Sequence, residues 1–434
     1  MSAADAPPAA RLLAGAARPD LAGHLSAYGP PPFSPAGGAR AEHEALITAI
    51  EESGLTGRGG AGFPAGRKMR AVAVAGRRAG PLRSPAGTVI IANGGESEPA
   101  STKDALLLSR APHLVLDGIA LAAQAVGATR AYLCLHGDPA PLRAAVTSRE
   151  RAGLNRVPIQ VAAVPAGYVA SQETALISFL NGAGAVPSFV PPRPAQRGLH
   201  RHPTLVLNVE TLANIALIAR HGPAWFRGVG TAAEPGSVLV TVGGAVTAPG
   251  VYEAALGTPV GALLEQAGGP AEPAQAVLAG GYFGGWLPLP GAGSVPLSPR
   301  SLAAAGAALG PGVLVVLPAA SCPLAETARV VRYLAGQSAG QCGPCTQGLP
   351  ALAAALGHVA FGQPGPEVLG WTRDLLALVR GRGACHLPDG AAGLVASTLQ
   401  VFADDLRQHA ERGPCGRAAR PPVLPLPAQL GSGG

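Results

Sequence analysis

Lysine is nearly absent: of 434 residues only Lys68 and Lys103 are lysine, against thirty arginines. An ammonium and a guanidinium are not interchangeable, so each lysine marks a place that wants a compact cation. Aromatic residues make up 4% of the chain and are not interleaved with the scattered arginines. That excludes the basic, aromatic-studded stripe of a nucleic-acid binder, and the net charge of +7 instead suits an anionic cofactor or an acidic partner. Ala303 to Ala325 carries no charge, yet Pro311, Pro318 and Pro323 interrupt it, which argues against a membrane-spanning helix. No basic-then-apolar leader opens Met1 to Pro35, so the expected compartment is the cytosol. There, six cysteines suggest metal or redox chemistry rather than a disulfide framework. With 48% hydrophobic and 13% charged residues the chain is not disordered, and its length allows roughly three domains.

What is abundant is glycine, and it concentrates in Leu55 to Lys68, L-T-G-R-G-G-A-G-F-P-A-G-R-K. Glycine admits positive φ and lets backbone N–H groups press against a ligand. Such groups form an anion-binding concavity, to which Arg58, Arg67 and Lys68 are expected to add positive charge. Phe63 offers a flat face for a ring. Gly57, Gly59 and Gly62 also spell G-x-G-x-x-G, but a dinucleotide fingerprint follows a strand, and Ala41 to Ser53 reads as a helix. The loop is therefore not an ordinary Rossmann turn.

Thr88 to Ala92 reads as a buried strand that runs into Asn93-Gly-Gly-Glu-Ser-Glu-Pro99, with Lys103 and Asp104 beyond. Polar clusters at strand C-termini bind ligands in α/β folds; a capped turn is the alternative. Helices are expected over Ala111–Val126 and Ala140–Arg151, and strands over Arg130–Leu135 and Val157–Val164. The alternation argues for a layered α/β domain with a largely parallel sheet. Gln172-Glu173-Thr174 opens another helix, and Asn208 and Thr211 stand at a strand-to-helix turn. Near Glu234 the pattern changes to two strands, a short helix and two strands, which suggests a β-grasp module. From Pro323, four expected helices, Ala325–Ala335, Thr346–Leu356, Glu367–Val379 and Asp389–Ala410, fit a small bundle.

Cys342-Gly-Pro-Cys345 precedes the second of those helices, and Cys385 lies 40 residues further on. A C-x-x-C with a distant cysteine suits an iron–sulfur cluster or zinc. Either centre ordinarily takes four ligands, and Cys322, Cys415, His386 or an external group could supply the fourth. Cys134, in a core strand, reads as packing.

Together, G-R-G-G-A-G-F-P, N-G-G-E-S-E-P, Y-x-x-x-Q-E-T-A, N-V-E-T, the β-rich module and the C-x-x-C bundle resemble, in that order, the NADH-oxidising flavoprotein subunit of respiratory complex I. Relatives occur in NAD-dependent hydrogenases and formate dehydrogenases. The resemblance implies an α/β FMN-binding domain with Rossmann-like layers over 39–233, a β-grasp (SLBB-like) module over 234–320 and an iron–sulfur four-helix bundle over 321–412. A mobile Ala/Pro-rich segment, 1–38, and a tail, 413–434, would flank them. It further implies FMN, a [4Fe–4S] cluster and NAD(H) or NADP(H), with electrons passing to a ferredoxin or other iron–sulfur subunit. Any membrane association would run through partner subunits. Gly57, Arg58, Gly59, Gly60, Ala61, Gly62, Phe63, Lys68, Asn93, Glu96, Ser97, Tyr168, Glu173, Asn208 and Thr211 would line the flavin. Phe63, Glu98 and Glu173 would face the dinucleotide, and Cys342, Cys345 and Cys385 would hold iron. No residue is expected to act as a general acid or base.

The departures are specific. Ala339 stands where the family has the first cluster cysteine, and Cys415 is the favoured substitute, ahead of Cys322. Gly95 replaces an aspartate, Gln172 a glutamate and Leu207 an asparagine. Ala71 and Arg193 replace aromatics on the dinucleotide side. Two rival readings follow: a divergent electron-transfer or scaffold subunit without nicotinamide chemistry, and a zinc-binding structural protein using Cys342, Cys345, Cys385 and His386.

Overall fold

The computed structural model describes residues 11–14, 18–33, 40–83, 87–365 and 367–427. They form two compact units. The first takes the chain up to Glu96 with Lys103–Leu239 and Glu253–Thr258; the second takes Ser97–Thr102, Val240–Tyr252 and everything from Pro259. Most of the β-rich segment expected as a separate domain falls in one unit with the helical segment, while 234–239 and 253–258 fall in the first unit.

The first unit opens with α1 (Leu21–Tyr28), α2 (Arg40–Ser53) and α3 (Ala65–Arg83). There follow β1 (Thr88–Gly94), α4 (Lys103–Arg110), α5 (Pro112–Val126), β2 (Ala128–Leu135), α6 (Ala140–Arg151) and β3 (Ile159–Ala163). The unit continues through α7 (Glu173–Leu180), β4 (Thr204–Asn208) and α8 (Val209–Arg227). The four strands are parallel, in the order β3-β2-β1-β4. Val89, Ile90, Ile91 and Ala92 of β1 are fully buried, as the second strand from an edge covered on both faces requires. Helix α5 is apolar nearly all round and buried along its length, the pattern of a helix enclosed in a core. Gly118 lets α8 cross it closely: a Cβ there would lie 2.0 Å from the Leu212 carbonyl oxygen.

Part of the N-terminal stretch expected to be mobile is ordered. Asp20 caps α1 by accepting from the Gly23 N–H. His24 then meets the buried Asp117, which also pairs with Arg149 at 2.6 Å and Arg220. Burial alone would raise the Asp117 carboxyl, but His24, Arg149 and Arg220 hold it below its ordinary value. Leu12 is fully buried, and the Arg11 and Leu12 N–H groups donate to Glu253. Residues 1–10, 15–17 and 34–38 of that stretch lie outside the described residues.

Strand β5 (Ser237–Gly244) leads into β6 (Gly250–Ala255), α9 (Val260–Gln266), β7 (Ala274–Ala279), β8 (Gly285–Pro288), α10 (Pro299–Ala304) and β9 (Val313–Pro318). Their sheet runs β6-β5-β9-β7-β8, with β5 and β9 parallel and β7 antiparallel to both neighbours. β8 is a strand the sequence pattern did not suggest. Helices α11 (Pro323–Gly336), α12 (Leu349–Phe361), α13 (Glu367–Val379), α14 (Leu387–Val401) and α15 (Ala403–Arg412) complete the unit. The last helix expected from the sequence is broken at Phe402, whose φ and ψ are −112° and 40°. Phe402 is buried with its ring edge-on to Trp286, so packing against the sheet ends the helix there.

Candidate functional site

Strand β1 is followed by β2 and β3 on one side, and the chain then returns to place β4 on the other. That reversal opens a crevice beyond the strand C-termini, where α/β folds take their ligands. Asn93 and Asn208 are in-register partners at this edge.

The glycine loop forms next to it. The Thr56–Pro64 bridge closes the loop, with the Gly57 N–H donating to the Phe63 carbonyl at 2.8 Å. Gly60 and Gly62 take φ of 108° and 62°, conformations that side chains resist. Gly59 faces Asn208, and a Cβ there would stand 3.3 Å from the Asn208 Cβ. The loop is anchored by the Arg58 N–H, which donates to Thr211 Oγ1 at 2.9 Å. Gly59, Gly60, Ala61 and Gly62 are exposed, and their amides have no acceptor among the described residues. Phe63 is 45% exposed. Successive exposed amides without acceptors, with an aromatic side chain next in the loop, suit a phosphorylated ring compound.

Around the loop, Lys68 in the first turn of α3 pairs with Glu173 of α7 at 2.6 Å. Gln172 caps α7, and Asn93 Nδ2 holds the preceding chain through the Ser171 carbonyl at 2.8 Å. Tyr168 is half-buried in the same approach to α7. Glu96 accepts from the Asp104 and Ala105 N–H groups, both at 3.2 Å, so its carboxylate caps α4. Gly95, in the place of the family's aspartate, sits beside His136, whose buried Nε2 has no hydrogen-bond partner.

Arg58 departs from expectation. Its side chain is buried, 4.0 Å from Glu210, and donates to Thr56 Oγ1 and the Ser237 carbonyl. It braces the loop from below rather than lining its outer face. The charge beneath the site is a network that sequence reasoning did not assemble. Lys103, 1% exposed, pairs with Asp104 at 2.6 Å and Glu210 at 2.8 Å. Asp104 accepts from Asn208 Nδ2 at 2.6 Å, and Glu210 from the Leu239 N–H. Burial alone would depress the Lys103 ammonium, but Asp104, Glu210 and Glu96 raise it above its ordinary value. The scarcity of lysine was the one available signal. Ser97 and Glu98 belong to the second unit. There Glu98 is buried and accepts from the Tyr282 and Ala100 N–H groups.

A cavity of about 990 Å³ lies along α3, lined by Arg67, Arg70, Ala71, Arg78, Arg197 and Arg201 among others. Arg70 is neutralised by Glu51, which it grips with two nitrogens. Arg67, Arg78, Arg197 and Arg201 make no ion pair among the described residues. His200 and Arg201 take φ of 47° and 68°, and the strain is held by the turn from Gly198 to Thr204. Such strain collects at functional sites.

In the second unit the cysteines sort into two groups. Cys342, Cys345 and Cys385 lie within electrostatic reach of one another, with the Ser338 hydroxyl donating to Cys345. Burial pushes the Cys345 thiol up to about 11. Cys415, expected as the fourth member, lies instead with Cys322 and His409, their ligand atoms all within 4.8 Å. The short chain after α15 carries it there, since the Gly413 N–H closes α15 on His409.

Residues 50–217 match the family description "Nuo51 FMN-binding domain", residues 239–282 "SLBB domain", and residues 325–409 "NADH-ubiquinone oxidoreductase-F iron-sulfur binding region". The NADH-quinone oxidoreductase F-subunit of Streptomyces coelicolor is 32% identical over 387 residues, 84% of this chain and 82% of its own. The corresponding F-subunit of Mycobacterium bovis is 33% identical, covering 85% of each chain. A crystal structure of an NAD+-reducing [NiFe]-hydrogenase in the H2-reduced state superposes with a TM-score of 0.79 at 32% identity, covering 86% of this chain and 64% of that one. No single helix among the described residues is long and apolar enough to cross a membrane.

Proposed function

The chain belongs to the family of NADH-quinone oxidoreductase F-subunits, and from that premise we propose that it takes electrons from NAD(P)H and delivers them to an iron–sulfur protein partner. It is a flavoprotein with an FMN-binding domain and a 4Fe–4S binding region. The observation that carries the reading is the run of exposed loop residues from Gly59 to Gly62, whose amides have no acceptor among the described residues, with Gly59 against Asn208 at the end of β4.

In this reading FMN supplies hydride acceptance and the step from paired to single electrons. The chain's own residues bind, orient and insulate. The loop amides take the phosphate, and Gly59 leaves the gap that a side chain would fill against Asn208. Asn93 and Asn208 fix the edge beneath, held by the Lys103–Asp104–Glu210 network. Phe63 gives a stacking face. The Lys68–Glu173 pair joins α3 to α7 across the rim. The arginine cavity receives the phosphates of the dinucleotide, because four unpaired guanidiniums favour polyanions. Ala71, which lines it, leaves room where the family has an aromatic. Cys342, Cys345 and Cys385 hold the cluster, with Ser338 beside them. We read the five-stranded sheet as a β-grasp module and the helices after it as the bundle, with the domain limits expected from the sequence. No residue is assigned as a general acid or base.

An anaerobic visible spectrum tests the function. Bleaching of the flavin band by NADH or NADPH is the expected result and names the donor. A flavin-loaded protein that neither dinucleotide bleaches would favour the reading as a carrier without nicotinamide chemistry, motivated by Ala71 and Arg193.

A further inference from the structure

Three ligating groups converge away from the cluster cysteines. Cys322 is the residue before α11, His409 lies in the last turn of α15, and Cys415 follows that helix. Their ligand atoms all lie within 4.8 Å of one another, with Cys322 and His409 buried and Cys415 half-buried. Cys322 Sγ stands 3.7 Å from His409 Nε2. Zinc bonds of about 2.3 Å to sulfur and about 2.0 Å to nitrogen at a tetrahedral angle put those atoms roughly 3.5 Å apart.

The surroundings favour the ligating forms of the three side chains, neutral imidazole and thiolate. His409 Nδ1 faces the Val359 carbonyl at 3.0 Å. Donation there fixes the tautomer and leaves the Nε2 lone pair toward the sulfurs, the orienting contact that metal-binding histidines use. The amides of Ala325 and Leu324, in the first turn of α11, point at the Cys322 sulfur, and the Arg417 guanidinium hydrogen-bonds Cys415. Without a cation, the Cys415 N–H donates to His409 Nε2 at 3.1 Å; an arriving cation displaces it. Two thiolates and a divalent ion sum to zero charge, the condition under which burial is tolerated.

We propose that Cys322, His409 and Cys415 form a zinc site, separate from the cysteines assigned to the cluster, with a water completing a four-coordinate ion. The donor set is soft and of mixed sulfur and nitrogen, as zinc prefers. The site fastens the segment after α15 to the start of α11. That segment also docks through Val423 and Leu424 N–H groups on Glu326, at 3.2 and 3.0 Å, and through Arg329 to the Ala418 and Arg420 carbonyls.

The test is elemental analysis of the full chain loaded with flavin and iron. We expect one zinc per chain beyond the iron. C415S should lose the zinc and keep its iron and cluster absorbance. If C415S misfolds, cobalt(II) replaces zinc in the chelator-treated wild-type chain. A thiolate-to-cobalt charge-transfer band, absent from C322S, then supports the site. A folded wild type that holds neither zinc nor cobalt overturns it. So does zinc lost from C342S but retained by C415S, or a chain two hydrogens lighter in mass with Cys322 and Cys415 joined in a disulfide.

Discussion

Two cationic assemblies in the first unit use the same kind of charge to different ends. Beneath the glycine loop, Lys103 and Arg58 are buried among Asp104 and Glu210, two positive groups against two negative. Along α3, Arg67, Arg78, Arg197 and Arg201 line an open cavity and none makes an ion pair among the described residues, the Glu51 carboxylate on the same wall being gripped by Arg70. The comparison teaches that partners, not residue type, separate a structural charge from a binding one. A closed set has exhausted its valence within the chain, whereas an open set still has its charge to offer. Because breaking a buried pair leaves the survivor uncompensated, the two assemblies should fail in different ways.

The largest effect is expected at the closed set. K103M strands Asp104 and Glu210 in the core and should lower the unfolding free energy by about 3–5 kcal/mol, read as a fall in Tm with loss of bound flavin. A mild effect on Tm would erase the distinction. His113 asks whether burial without a carboxylate hydrogen bond behaves differently. Burial, then Arg149, pushes its pKa from 6.5 down to about 4. Between those values the unfolded chain binds a proton that the folded chain refuses. Stability should therefore fall as pH drops from about 6.5 to about 4, by on the order of 3 kcal/mol. Denaturant unfolding across that window should show the slope, and H113Q should flatten it. The smallest effect on stability belongs to the open set. R197A/R201A should leave unfolding within about 0.5 kcal/mol while weakening pyrophosphate binding roughly tenfold, ~1.4 kcal/mol, by calorimetry.

The same rule explains what the sequence disclosed. Hydrophobic periodicity and turn chemistry act locally, so α2, α5, α6 and the strands from β1 to β5 were legible, as were the glycine loop and the asparagines at the strand ends. Partners are set by the fold. Nothing local distinguishes Arg58, turned inward to Glu210, from Arg67, which lines the cavity. Glu98 is assigned to the dinucleotide by the family resemblance alone; its acceptance from the Tyr282 N–H is a contact set by the fold. Cys415 read as the fourth cluster cysteine because a fourth was needed; its place beside Cys322 depends on how α15 returns to α11. The break at Phe402 was hidden because it comes from Trp286, far away in sequence.

That return has a kinetic side. Almost the entire helical region lies between Cys322 and Cys415, and its two ends meet. Contacts between the two ends of a segment close the longest loop within it, so their entropy must be met before they contribute. During synthesis, α11 emerges with the groove for its final partner unfilled until α12 to α15 have followed. Glu326, which later accepts from Val423 and Leu424, remains without those donors throughout. The region should therefore be most open to proteases and chaperones in that interval, and its last-made segment is the one that shuts it.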